Sequence, residues 1–185
     1  MQLSKFSYYS DFFIYPVVCI GWSAATLTGR PWIGIVEWFC ALAGGVMLWT
    51  LLEYVLHRIA LHQMAYFSPL HGAHHSAPLA FIGTPTWISI PVYVCTLCLP
   101  LWPCFGFSIA SALTIGVMLG YWWYGIVHHV IHHRGHGRLN GYFSELCAWH
   151  MRHHYSPKRG NFGVTTGLWD HVFGTAIGAV NKAMI

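Results

Sequence analysis

The sequence predicts an all-α integral membrane protein of about four transmembrane helices with a histidine-rich cytosolic helical cap, and three observations carry that expectation. Of the 185 residues, 56% are hydrophobic and only 8% are Asp, Glu, Lys or Arg, about a third of the charge that soluble domains carry. From Ser76 to Val127, 52 residues, there is no charged residue and no histidine. Thirteen of the 14 histidines crowd instead into residues 57–75 and 128–154.

A helix needs about 20 apolar residues to cross the hydrocarbon layer, and a spanning backbone must satisfy its own hydrogen bonds. The first candidate, 12–29, lies between Asp11 and Arg30 and lacks the small-residue cleavage site of a removable signal peptide. The second, 31–52, opens on Pro31, a favoured first helical position, and carries one acid, Glu37. The uncharged stretch is broken by Pro100 and Pro103 in "LPLWPCFG", which predicts a helical hairpin with arms at 85–99 and 105–127. The first arm is short and suits a tilted or dipping helix. Four spans put both termini and the 53–84 segment on one side. Lys5, Arg58, Arg134, Arg138, Arg152, Lys158, Arg159 and Lys182 fall there and only Arg30 opposite, so that side is cytoplasmic by the positive-inside rule. Trp and Tyr clusters such as "YWWYG" at 121–125 suit the headgroup level and equally a packed interior.

The length suits one membrane domain over 1–185, with histidine-rich cytosolic segments at 53–84 and 128–175. A formal charge of +4, scattered along the chain, gives no nucleic-acid groove. Six cysteines without repeated spacing give no disulfide framework. Cys95 and Cys98 form C-x-x-C, but in an apolar run with no charge to lower a thiol pKa, so they read as packing or lipid-facing residues.

The histidines repeat their spacings: His57-x4-His62, His71-x2-His74-His75, His128-x3-His132 and His150-x2-His153-His154. On a helix each H-x-x-H-H triple spans about 100° of one face, which predicts three imidazoles converging on one point. His128 and His132 share a face, and His57 and His62, about 140° apart, would flank a site from two sides. Ten imidazoles exceed the four to six ligands of one metal, so the count argues for two. His129 and His133 repeat the spacing of the third pair, while His136 and His171 stand outside the repeats. A diheme cytochrome would place single axial histidines inside the spans, and a metal transporter would need ligands at the bilayer midplane, where only Glu37 is charged. Both fit poorly. Imidazole suits Zn, Cu, Fe and Ni alike, so the residues alone give a membrane-embedded dinuclear histidine site beside lipid, open to a long apolar substrate. Zinc has no redox chemistry; attack on an unactivated C–H bond would require iron and dioxygen.

These motifs resemble those of the fatty acid hydroxylase/sterol desaturase superfamily. "EYVLHRIALH" at 53–62, "HGAHHSAP" at 71–78, "HHVIHH" at 128–133 and "WHMRHHYSPKRGNFGVTTGLWDHVFGT" at 149–175 are most similar to its fatty acid 2-hydroxylase branch, which acts on very long acyl chains of ceramides. The resemblance implies four membrane helices with a cytosolic cap, and two iron ions bound by His57, His62, His71, His74, His75, His128, His132, His150, His153 and His154. Zinc can substitute in isolated protein. It favours His128 and His132 over His129 and His133. It further implies dioxygen as co-substrate and two electrons from a separate donor, a b-type cytochrome, ferredoxin or reductase, since no His-Pro-Gly-Gly segment of an appended heme domain occurs. No catalytic residue beyond the metal ligands is expected. Glu53 and Asp170 are candidates to accept imidazole N–H groups, with a helix cap or interfacial salt bridge as the alternative. Arg152, Lys158 and Arg159 suit lipid phosphates, an acidic electron donor or plain positive-inside charge. The short interval between His62 and His71 also resembles the carotenoid hydroxylase branch, and sterol desaturases share the histidine set. Three readings therefore stand: a fatty acyl hydroxylase, a carotenoid or sterol hydroxylase/desaturase, and a non-catalytic metal-binding membrane protein.

Overall fold

Ser4 starts the first helix: its side chain accepts the Ser7 amide at 3.1 Å, and α1 runs over Lys5–Leu27. The computed structural model describes residues 2–134 and 140–178, so His136, Arg138 and Lys182 lie outside the described residues. Asp11 falls inside α1 rather than at its start, and its carboxylate accepts the Thr86 hydroxyl. Gly29, at φ 74°, turns the chain after α1 in a conformation that a side chain would strain. Pro31 then leads into α2, Trp32–Val55, which continues as a π-helical turn, π1, Leu56–Leu61. There follow α3 Ser68–Ser76, α4 Thr86–Tyr93, a second π-helical turn Val94–Cys98, α5 Leu99–Arg134, α6 Gly141–Tyr155 and α7 Leu168–Val172. The described residues are all-helical apart from one isolated bridge between Gln2 and Ile82.

Three helical stretches are long and apolar enough to cross a membrane: Lys5–Leu27, Trp32–Leu61 and Thr86–Arg134. The third is not straight. Gly106 stands at φ 77°, ψ 154°, outside the helical region, and the rings of Tyr93 and Tyr121 lie 5.7 Å apart. A straight helix would separate those residues by about 40 Å, so the stretch doubles back. The hairpin expected from the sequence is present, with the turn at Gly106; Pro100 to Cys104, expected to separate the arms, is helical.

The chain packs as two compact units, Met1–Trp49 with Ala80–Gly125, and Thr50–Leu79 with Ile126–Ile185. In the first, Tyr15, Cys19, Trp38, Ala112, Ile115 and Met118 form the core. Three of its aromatic polar atoms find side-chain partners: Tyr15 donates to Ser89 Oγ at 2.7 Å, Trp38 Nε1 to Thr26 Oγ1 at 3.1 Å and Trp22 Nε1 to Ser111 Oγ at 3.1 Å. The outward stripe of α1 is apolar, with Phe13, Val17 and Ile20 each about 70% exposed. Soluble helices carry polar residues there; a lipid-facing helix does not.

Within this unit α2 and α5 meet backbone to backbone. A Cβ on Gly116 would stand 2.1 Å from the Leu42 carbonyl oxygen, and one on Gly45 equally close to that of Leu113. Small residues allow this approach between membrane helices. Gly116→Ala is therefore expected to cost about 1–3 kcal/mol, read as a lowered midpoint of thermal unfolding in detergent. Gly21→Ala, with nothing within 4 Å of the added carbon, should leave the midpoint unchanged or raise it.

Candidate metal centre

The second unit gathers the histidines, and local winding decides where each imidazole points. In α3, His75 lies about 40° around the helix from His71 and His74 about 60° the other way. The triple therefore splits instead of converging on one point. His71 and His75 join His57, His62 and His153 in one group of five, and His74 joins His128, His132, His150 and His154 in another. The α6 triple splits in the opposite sense: His150 and His154 go to the second group and His153 to the first. Each helix thus serves both groups.

His57 and His62 also depart from the α-helical expectation. His57 lies within the π-helical turn and His62 directly follows it, and its i→i+5 winding differs from that of an α-helix. Their rings lie 5.2 Å apart and stacked. His128 and His132 share one face of α5, as their spacing predicts, with ring centroids 4.6 Å apart. The ten histidines singled out in the sequence are the ten in the two groups. His129 and His133 belong to neither and stack on each other at 4.4 Å. His171 is exposed beside the Trp149 ring.

Within each group the candidate ligand nitrogens all lie within 4.8 Å of one another. Neighbouring Nε2 atoms are much closer. His71 Nε2 lies 2.9 Å from that of His57 and 3.0 Å from that of His75, and His153 Nε2 lies 3.1 Å from those of both His62 and His75. In the second group the pairs His128–His74, His132–His150 and His154–His150 stand at 3.0–3.1 Å.

Hydrogen bonding alone cannot account for the first group. His57 Nδ1 donates to the Phe162 carbonyl at 2.5 Å and His153 Nδ1 to that of Gly160 at 2.8 Å. With those protons on Nδ1, both Nε2 atoms are acceptors. The contacts His57–His71–His75–His153 form three links between two acceptors, and donors and acceptors cannot alternate along an odd number of links. One pair must set lone pair against lone pair, or hydrogen against hydrogen. A shared cation removes the conflict. Two imidazole nitrogens at a right angle, each about 2.1 Å from a metal, are about 3.0 Å apart, which is the observed spacing. The donor set fits one metal ion per group, and all-imidazole ligation suits iron as well as zinc.

Protonation would not relieve the crowding. Burial, with neighbouring imidazoles adding to it, pushes His62 and His74 down to about 4, and burial holds His153 at about 3 despite its bond to Gly160. Burial lowers His75 as well. The unfolded chain takes up these protons below about pH 6.5, the folded chain only near pH 3–4. Stability of the metal-free protein is thus expected to fall as pH drops from about 6.5 towards 4. Thermal unfolding of chelator-treated protein at pH 7 and pH 5 checks this, with the lower midpoint at pH 5.

Glu53 and Asp170 are buried, and their observed partners are backbone amides and hydroxyls. Asp170 accepts from Phe162 N and Gly163 N, both at 2.8 Å, and from Thr175 Oγ1 at 2.7 Å. Glu53 accepts from Val164 N at 2.5 Å, Thr165 N at 2.9 Å and Thr165 Oγ1 at 2.5 Å. The segment between them, 160–165, supplies the carbonyls that orient His57 and His153. Sequence reasoning singled out the carboxylates and overlooked the segment, because backbone carbonyls leave no residue-type signal. Asn161 was the available hint: buried at φ 54°, it donates from its side chain to Trp149 O and accepts the Ile177 amide.

Of the three basic residues noted, Arg152 lies over the Trp149 ring. Lys158 and Arg159 line a cavity of about 230 Å³ together with His62, His75, His153 and His154.

Residues 42–175 match the family model described as fatty acid hydroxylase. A dihydroceramide fatty acyl 2-hydroxylase of Arabidopsis thaliana is 35% identical over 179 residues, covering 88% of this chain and 70% of that protein. The fatty acid 2-hydroxylase of Homo sapiens is 31% identical over 144 residues, 71% of this chain and 38% of the human protein. A solved structure described as full-length scs7p, with only its hydroxylase domain visible, superposes with a TM-score of 0.78 at 26% identity, over 93% of this chain and 67% of that one. Two five-imidazole groups on an all-helical, strongly apolar chain and a family match over most of its length agree: the chain belongs to the fatty acid hydroxylase family, as an oxygen-dependent hydroxylase of lipid.

Proposed function

We propose that the ten histidines hold two iron ions and that the chain hydroxylates a long fatty acyl chain at the carbon next to the carbonyl, as the names of its relatives describe for them. The observation that carries the metal reading is the packing of five imidazole nitrogens in each group at 2.9–3.1 Å between neighbours. Iron, when bound, supplies the activation of dioxygen that an unactivated C–H bond requires. One oxygen atom enters the product and the other leaves as water, with two protons and two electrons from a separate b-type cytochrome, ferredoxin or reductase.

The residues of this chain prepare that reaction. Carbonyls of Gly160 and Phe162 hold the His153 and His57 protons on Nδ1, so their Nε2 lone pairs face the first group. The Phe162 ring packs 5.4–5.9 Å from those of His57, His62 and His153 and keeps water from that side. Lys158 and Arg159, at the cavity, suit an acidic electron donor. The apolar runs, the Gly106 turn and the distribution of Lys and Arg support a reading of four spans with the histidines on the cytoplasmic side. A bilayer lipid then reaches the site without leaving the membrane.

Expression in cells without 2-hydroxylated lipids tests the reading by mass spectrometry of their fatty acids. Acyl chains carrying one added oxygen at carbon 2 are expected. Oxygenated carotenoids or sterols with unchanged acyl chains would overturn the substrate, and purified protein that binds fewer than two metal ions would overturn the centre.

A further inference from the structure

The two groups are not held alike. In the first, the Nδ1 atoms of His57 and His153 are tied to the Phe162 and Gly160 carbonyls. The segment bearing those carbonyls is itself fixed, since four consecutive amides, Phe162 to Thr165, donate to Asp170 and Glu53. The Asn161 amide adds a bond to Thr175 O at 3.0 Å. In the second group, the Nδ1 atoms of His150 and His154 are buried with no hydrogen-bond partner. A ligating imidazole tied at its far nitrogen has its tautomer and ring direction set, and the tie raises its basicity. An untied imidazole can turn, or move its proton to Nε2, and release the metal.

We infer that the two metal positions differ in retention: Glu53 and Asp170 are positioning residues that lock a metal into the first group, and the second group exchanges its metal freely. This rests on the reading that the ten histidines bind two metals. The roles of the carboxylates differ in detail. Asp170 uses both oxygens for backbone amides, so an amide side chain would set its NH₂ against Gly163 N–H or Phe162 N–H. Glu53 accepts both its amides on Oε1, and Oε2 accepts from the Thr165 hydroxyl, which can in turn accept from an amide NH₂. Gln therefore replaces Glu53 with little loss, whereas Asn does not replace Asp170.

The test is Zn²⁺ release from the purified full chain, loaded with zinc and challenged with a chromophoric chelator. Wild type is expected to release one ion quickly and one slowly. His150→Ala should lack the fast ion and His153→Ala the slow one. Asp170→Asn should speed the slow phase about tenfold, the order seen when an outer hydrogen bond to a metal ligand is removed, and leave the fast phase alone. Glu53→Ala should act likewise, while Glu53→Gln keeps the slow phase. General destabilisation would speed both phases. If Asp170→Asn does not fold, Thr175→Val, which removes one donor to Asp170, should shift the slow phase in the same direction by less. Two ions leaving wild type at one rate, a slow ion that survives in His153→Ala, or equal acceleration of both phases in Asp170→Asn overturns the inference. Wild type that never loads two zinc ions overturns the ten-histidine reading and the inference with it.

Discussion

His153→Ala is expected to lower hydroxylation by about a hundredfold or more, measured as product per cell at matched protein level. His153 joins the two halves of the first group to the segment behind it. Its Nε2 stands 3.1 Å from those of both His62 and His75, and its Nδ1 is tied to Gly160. Alanine leaves those two imidazoles with a gap between them and frees a carbonyl in the clamp. His74→Ala should be as severe, since His74 is the member of α3 that reaches the second group. His171→Ala is expected to stay within about twofold of wild type, because His171 is exposed and outside both groups. Equal losses in His153→Ala and His171→Ala would mean that the two groups are not the centre of the chemistry.

Residue type and spacing brought the ten histidines into view, because a metal site demands imidazoles and helices demand periodicity. The same arithmetic misassigned their grouping. The roughly 100° that separates His74 from His75 around α3 reads as one converging face, yet it is wide enough to serve two centres at once. On an α-helical wheel His57 and His62 stand about 140° apart, and the π-helical winding of Leu56–Leu61 changes that angle. A π-turn depends on what the surrounding chain requires and has no reliable marker in the six residues it uses. Glu53 and Asp170 could be recognised as important, but their partners are amides of 162–165, so their action on the centre passes through a segment visible only once folded.

The membrane helices were legible for a simpler reason. Apolar length is a property of composition, and the apolar runs of α1 and α2 need no tertiary partner to be recognised. Their ends were less so. Asp11 looked like a boundary because a charge is costly in lipid, yet the helix runs past it and the carboxylate takes the Thr86 hydroxyl instead. Likewise, two prolines suggested a broken segment before Gly106, although only the glycine leaves helical geometry.

Gly163→Ala is expected to be the most damaging single-methyl change in the second unit. A Cβ there would lie 2.0 Å from the Thr166 carbonyl oxygen and 3.2 Å from Asp170 Oδ2. Backbone cannot yield as a flexible side chain would, so the segment must shift, and Gly163 N leaves the carboxylate that holds it at 2.8 Å. Phe162 moves with it and withdraws the carbonyl from His57. The packing cost is about 1–3 kcal/mol, and the consequence for the first group should exceed that for the second. Metal analysis is expected to show the variant retaining less metal than wild type, with activity down at least about tenfold. Gly72→Ala is the matched comparison. Gly72 lies in α3 between His71 and His74, with nothing within 4 Å of the added carbon. There alanine should raise stability by about 0.5–1 kcal/mol through helix propensity and leave both metals in place. Similar losses from the two variants would show that the second unit tolerates no added methyl near the histidines, and that the 160–165 clamp has no special part in holding them.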